Sequence, residues 1–432
     1  MNFGLVRSPP QRPARCRGAI AGARATALVA LLLATLPRAA RADGQGLAVG
    51  ETARLHFQLE LEARYDSLAG QGGIGNVTSP VVDPAEIILH AKPGLRLNAP
   101  GNRVDFEASA ALDWSKYTGW LAPTTDLSYL GGSAGAALEM GKGGPVGLRV
   151  VEAFNRSDHT TNPALGVGAI TNANNLAARL GFIPGGGAIE AGVGYAFGLE
   201  AYTPYRPNVQ GQPPTDPSSD PTLFGGFGSQ THRFSLDARW RFLPKTAFVL
   251  NASWALRFYE SSTSNVASKP LQIEGGLSGL ITEKVRVLLR GGWLKTFADT
   301  TAAKGDEFSG PIAQVEVGWN PTDVSGIAFG LQRSVEPVSS FAWYDDWRVY
   351  ANARLALGGR LALTGSGKID RLVFANGGRV DTQASLDIAA DIEAFRILHF
   401  VVGGVLTSRD STAASFYVYQ RAEAYLRLVL SY

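Results

Sequence analysis

Ala53-Arg54-Leu55-His56-Phe57-Gln58-Leu59-Glu60-Leu61-Glu62-Ala63-Arg64-Tyr65 alternates without a break, odd positions apolar and even positions polar. A β-strand sends successive side chains to opposite faces, so this segment has one oily face and one wet face. It outruns the usual strand of about 5–6 residues in soluble proteins. It satisfies the roughly 9–11 residues that a strand needs to cross a bilayer.

The same period returns along the chain. Residues 86–98 set Ile87, Leu89, Ala91, Leu95 and Leu97 against His90, Lys92, Arg96 and Asn98. Residues 103–115 set Val104, Phe106, Ala108, Ala110, Leu112 and Trp114 against Arg103, Asp105, Glu107, Ser109 and Asp113. Residues 188–200, 233–242 and 247–258 repeat the arrangement, with Phe234, Leu236, Trp240, Phe248, Leu250 and Trp254 on the oily side. Tight connections at 141–144, 184–187, 243–246, 282–284, 320–323, 358–359 and 394–396 carry turn residues. They alternate with longer polar ones at 66–85, 157–170, 203–229, 261–269, 297–307, 337–345 and 409–415. Short-then-long sorting is what a membrane barrel shows, with short turns on one side and longer loops on the other. The chain therefore reads as all-β: a transmembrane antiparallel up-and-down β-barrel of about 18 strands. Alternation is blurred at 126–140, 145–155 and 325–336, and loss of one hairpin would give 16. The even spacing leaves no linker for a second domain, so residues 43–432 form one barrel after a short lead-in at 43–52.

Residues 1–42 have the composition of a secretory signal peptide. Arg7, Arg12, Arg15, Arg17 and Arg24 make a basic region, residues 25–36 are uncharged and apolar, and Ala40-Arg41-Ala42 is a small-x-small cleavage site. This leader holds seven arginines and no acid. Taking those seven from the 40 Lys and Arg of the whole chain leaves 33 basic against 37 acidic side chains. The basic balance thus belongs to the leader, and a nucleic-acid partner loses its support. The one cysteine, Cys16, leaves with the leader, so the mature chain holds no disulfide or thiolate site.

The chain ends in another alternating segment, with Ala422, Ala424, Leu426, Leu428, Leu430 and Tyr432 on one face and Arg421, Glu423, Tyr425, Arg427 and Ser431 on the other. A final amphipathic strand with an aromatic last residue resembles the C-terminal assembly signal of bacterial outer-membrane proteins. Tyr432, with Leu430 and Leu428, takes the place of the family's usual Phe. Together with the leader and the hairpins, the resemblance covers the mature chain and is to porin-like barrels, without a match to a sugar- or ion-specific porin. It implies residence in the outer membrane, contact with its lipid, and insertion by the barrel-assembly machinery.

If the wet faces line the lumen, basic and acidic side chains point inward in near balance. Ionised groups need water or partners, so the interior is a wet channel, a set of salt bridges, or both. Strands around Arg233, Arg239, Arg241, Arg257, Arg286, Arg290, Arg348 and Arg354 are richer in base. Strands around Glu60, Glu62, Asp105, Glu107, Asp370, Asp381, Asp387 and Asp391 are richer in acid. These sets either face each other across the lumen or pair between neighbouring strands. The near balance argues against a strongly ion-selective pore. The expected function is passive diffusion of small hydrophilic solutes, and the alternative is a structural or adhesion barrel with a plugged lumen. The segment 203–229, with Pro204, Pro207, Pro213, Pro214, Pro217 and Pro221, either narrows the pore or stands outside it. Tyr417, Tyr419 and Tyr425 are either a sugar-stacking track or packing residues.

No enzyme is expected, since no nucleophile–base set can be read. Asp158-His159 and Asp345-Asp346, at expected loop edges, are the nearest approach to a rim site. Gly70-Gln71-Gly72-Gly73-Ile74-Gly75 lacks the strand and helix of a dinucleotide loop. His56, His90, His159, His232 and His399 lack metal-ligand spacing, so neither metal nor cofactor is implied. The apolar faces mark no oligomer contact.

Overall fold

The computed structural model of the protein describes residues 46–68, 85–121, 128–158, 169–204, 228–260, 267–297, 307–338, 341–375, 378–413 and 418–432. The leader with Ala40 and Ala42, the glycine motif at 70–75, most of the proline-rich segment 203–229, His159 and Tyr417 lie outside the described residues.

A short strand β1 (Leu47–Val49) precedes the long ones. These are β2 (Ala53–Asp66), β3 (Glu86–Ala99), β4 (Val104–Tyr117), β5 (Tyr129–Met140), β6 (Val146–Ser157), β7 (Ala169–Phe182), β8 (Ile189–Pro204), β9 (Ser229–Leu243) and β10 (Thr246–Tyr259). Then come β11 (Leu271–Leu280), β12 (Val285–Lys295), β13 (Ser309–Thr322), β14 (Ser325–Val338), β15 (Phe341–Leu357), β16 (Leu361–Phe374), β17 (Val380–Phe395), β18 (Leu398–Ser411) and β19 (Tyr419–Ser431). Each pairs antiparallel with the next, and β19 returns to β2, from Glu423 opposite Asp66 to Ser431 opposite Gln58. With β1 only a stub on β2, 18 staves close the ring. The blurred segments became β5, β6 and β14, so the count is not 16.

Closure leaves no stave with an open edge, which a bilayer demands because nothing there can satisfy a bare N–H or C=O. Even the foot of β2 is covered. Phe57 and Tyr432 exchange backbone hydrogen bonds of 3.0 and 2.9 Å, and below them β1 takes over, Leu47 opposite Leu55 and Val49 opposite Ala53. The lead-in thus folds back as a strand and lengthens the edge that the C-terminus leaves short.

Following paired residues from stave to stave around the ring returns to β2 displaced by about 22 residues. Eighteen strands with that shear tilt by about 40° and stand about 18 Å from the axis. The oily faces turn outward: Leu61, Leu112, Val193, Leu236, Leu250, Ile273, Val317, Ile388, Val402 and Leu426 are all exposed. Trp240, Trp319 and Tyr432 mark a belt at the short-turn end, and Trp114, Trp254, Trp293 and Trp347 one toward the other end, as interfacial girdles do.

One long connection is shorter than its composition suggests. Segment 337–345 reads as a loop, yet β14 runs to Val338 and β15 starts at Phe341. Val335 stands opposite Asp345 and Glu336 opposite Tyr344, while Arg333 Nη2 meets Asp345 at 2.9 Å. Cross-strand pairing carries these staves beyond the girdle.

Leu250→Arg, on the outer face of β10, should cost about 2–4 kcal/mol, whereas Asn251→Arg beside it, facing the lumen, should cost little. Denaturant unfolding in lipid vesicles measures both, and equal losses would mean that the two faces are assigned wrongly.

Candidate functional site: the barrel lumen

The period that puts oil outside puts charge inside. Arg233, Arg239, Arg241, Arg257, Arg286, Arg290, Arg348 and Arg354 all occupy inward positions on the arc from β9 to β15. Glu60, Glu62, Asp105, Glu107, Asp387 and Asp391 do the same on β2, β4 and β17. Tyr419 and Tyr425 also hold inward positions on β19. Leu428, Leu430 and Tyr432 hold outward ones there, Leu428 opposite Leu61 and Leu430 opposite Leu59 across the seam.

Most of these charges meet an opposite one on the same or a nearby stave. The largest network lies on the seam where the barrel closes. Arg427 of β19 puts Nη2 2.6 Å from Glu62 and Nε 3.2 Å from Glu60, both on β2. Arg64 bridges Glu62 at 2.7 Å and Glu423 at 3.2 Å. Arg421 holds Asp66 at 2.6 Å, and Lys92 of β3 reaches Glu60 at 3.1 Å. A second knot sits at the loop end of β17, where Asp381 accepts from Arg379 and Arg409, both at 2.6 Å. Its side chain is 0% exposed and that of Arg379 2%. Arg379 also stacks on Phe374 at 4.3 Å.

Toward the short-turn end the pairs are wetter. Arg96–Glu107 spans 2.9 Å with side chains 40% and 42% exposed, and Arg286–Glu316 spans 3.0 Å with Arg286 53% exposed. Asp105 binds Lys142, and Asp391 meets His399 at 2.9 Å. Nearer the loops, by contrast, Arg348 links the buried Asp346 at 2.8 Å to the buried Asp370 at 2.6 Å. The lumen wall thus passes from tight pairs near the loops to hydrated ones below.

The loop end of the barrel is drawn inward at two places. Arg257 of β10 donates Nη2 to Glu200 at 3.0 Å and Nη1 to the Pro337 carbonyl at the tip of β14 at 3.2 Å. An arginine spans four places of the ring only if the tip of β14 leans over the lumen. Val335 packs with inward Leu294 and Ile312 against Phe308 and Trp343. On the other side Ile170 of β7 packs with Ile88 of β3 and Tyr117 of β4, beside Tyr129. By strict alternation Val335 and Ile170 would face outward. Above the lipid that position is water, and leaning in buries both.

The rim acids are engaged. Asp158 accepts from the Tyr129 hydroxyl at 2.8 Å, Asp345 pairs with Arg333, and Asp346 with Arg348. Among the described residues no group of three His, Cys, Asp or Glu could hold a metal ion. Sequence reading passed over Arg64, Arg421 and Arg427 as site residues, because their cross-seam partners lie 355 to 365 residues away, and over Arg379 and Arg409, whose shared Asp381 is brought to both only by the pairing of β17 with β18.

Asp381→Ala strips Arg379 and Arg409 of their shared carboxylate while leaving the guanidiniums buried. Removing one partner of a buried pair costs about 3–5 kcal/mol. Urea unfolding in vesicles should register that loss, and a change near zero would place the knot in water.

No family model and no curated protein matches the chain. Among solved structures, the FrpB iron transporter of Neisseria meningitidis is similar at 10% identity and TM-score 0.50, covering 88% of this chain and 66% of that one. OpdO of Pseudomonas aeruginosa is similar at 12% identity and TM-score 0.48, over 88% and 97% of the two chains. OccAB3 of Acinetobacter baumannii is similar at 9% identity and TM-score 0.46, over 88% and 99%. At such identities the likeness concerns the fold alone. The chain has the closed antiparallel architecture of bacterial outer-membrane β-barrels, the class that its sequence resembles.

Proposed function

We propose that the protein is an integral outer-membrane channel through which small hydrophilic solutes diffuse passively. The observation that carries this reading is the hydrated charge on the inner wall, Arg286 and the Arg96–Glu107 pair above all, in a ring about 18 Å in radius. A wall of that polarity needs water, and a ring of that size has room for it. Base on the arc from β9 to β15 and acid around β2, β4 and β17 lie nearly in balance, so solutes are sorted by size first and by charge weakly. Residues 1–42 direct export and are cleaved after Ala42, and the last strand up to Tyr432 is handed to the barrel-assembly machinery. No catalytic role is assigned to any residue.

A second reading, a structural or adhesion barrel closed by its own side chains, draws support from the Arg257–Pro337 contact across the mouth. Planar-bilayer recording of the refolded mature chain separates the two. Stable steps with a small reversal potential in a salt gradient are expected of the channel. Silence from folded, heat-modifiable protein would leave the closed barrel. Where the mouth limits flow, Arg257→Ala should enlarge the step by about half or more without reversing ion preference, because the mouth sets the narrowest section and the wall charges set the sign. An unchanged step would put the narrow section elsewhere.

A further inference from the structure

The outer wall has one break in its apolar surface at mid-height. Glu152, midway along β6, faces outward and is exposed. Its inward neighbours Val151 and Ala153 are buried, and its cross-strand partners are Ala136 and Leu176. Other outward charges on the described staves, Lys116, Arg156, Lys295, Arg333, Asp345, Arg371 and Asp410, stand toward the loop ends, and Arg333 is paired to Asp345. Among the described residues Glu152 forms no ion pair. It accepts one hydrogen bond, from Asn174 Nδ2 at 3.4 Å. A carboxylate in hydrocarbon is costly and marks contact with something other than lipid.

The surroundings of Glu152 are also unlike the rest of the wall. On its β5 side stand Gly132, Ala134 and Ala136, and beyond them Ala108 and Ala110 of β4. Further round the ring at this height, β9 and β10 carry the bulkier Leu236 and Leu250. Low relief lets another backbone come close. Above Glu152, Arg156 donates Nε to the Leu130 carbonyl at 3.0 Å and Nη1 to Asn172 Oδ1 at 2.8 Å. The patch therefore holds a carboxylate, a guanidinium and two amides, both halves of a polar contact on one surface.

We propose that the outer wall from β4 to β7 is an interface with a second copy of this chain. Two barrels inserted in the same sense are related by an axis along the membrane normal, so heights are preserved. Their staves lean the same way and cross when the faces are opposed. A crossing at Phe154, which lies between the two charges, sets Glu152 about 10 Å below the partner's Arg156, within the combined reach of both side chains. The two Phe154 rings then meet near the axis, as aromatic anchors do at interface centres. Self-complementary charge is what favours a second copy over a different protein.

The mature chain has no cysteine, so a single introduced one reports its own contacts. Phe154→Cys and, about a quarter turn away on β10 and outside the proposed interface, Leu250→Cys would be oxidised in outer membranes containing the full-length protein, with heat-modifiable gel mobility as the folding check. The Phe154→Cys protein should run as a disulfide-linked dimer and the Leu250→Cys protein as a monomer. In the Phe154→Cys background, Glu152→Arg alone should lose most of the dimer, and Glu152→Arg with Arg156→Glu should restore it. Equal crosslinking at both cysteines, a crosslinked band with the mass of a different protein, or no restoration in the double variant would each overturn the proposal. Should the charge variants fail to fold, the two cysteines alone decide.

Discussion

Everything in this barrel depends on the pairing of its last stave with its first. In a bilayer an unpaired backbone donor or acceptor has no water to turn to, so a sheet of this kind exists there only as a ring. The hydrogen bonds between β19 and β2 close it, with β1 and the terminal residues covering what would remain of the edge. Closure also fixes shear, and shear with strand number sets tilt and radius. The width of the lumen is thus a consequence of register along the seam as much as of any residue lining it.

The densest ion-pair network occupies that same seam. Arg427 with Glu60 and Glu62, Arg64 with Glu423, and Arg421 with Asp66 all cross between β19 and β2 or knit their inner faces. Neutral net gain is the usual outcome for buried pairs, but a mismatched register leaves buried charges without partners, which is expensive. The network therefore penalises a slipped seam more than it stabilises the correct one. It stands at the only junction in the ring whose partners are far apart in sequence, where no short turn helps to set the register.

The outer and inner walls obey one constraint with different consequences. Lipid accepts any apolar side chain and so leaves the outer face free to vary in relief, from the leucines and tryptophans of β9 and β10 to the alanines of β4 and β5. Water inside accepts any charge that is hydrated or paired. Above the girdles the outer rule lapses, and Val335 and Ile170 lean inward to be buried, which narrows the mouth. Glu152 is the place at mid-height where the outer rule fails, with one hydrogen bond from Asn174 and no ion pair among the described residues.

Strand class, the two faces, the sorting of short and long connections and the even strand number were all legible in the residues. These depend on a period of two residues and on local turn chemistry, both present in any short window, as in Ala53 to Tyr65. Which charges meet, the shear of the ring, the extra length of β14 and β15, and the face to which Glu152 belongs emerge only from the closed ring. Pairing between Arg427 and Glu62 depends on register summed over every stave, and the alternation of β6 is too blurred to orient Glu152 until β5 and β7 fix it. Register is a property of neighbours, and no single strand carries it.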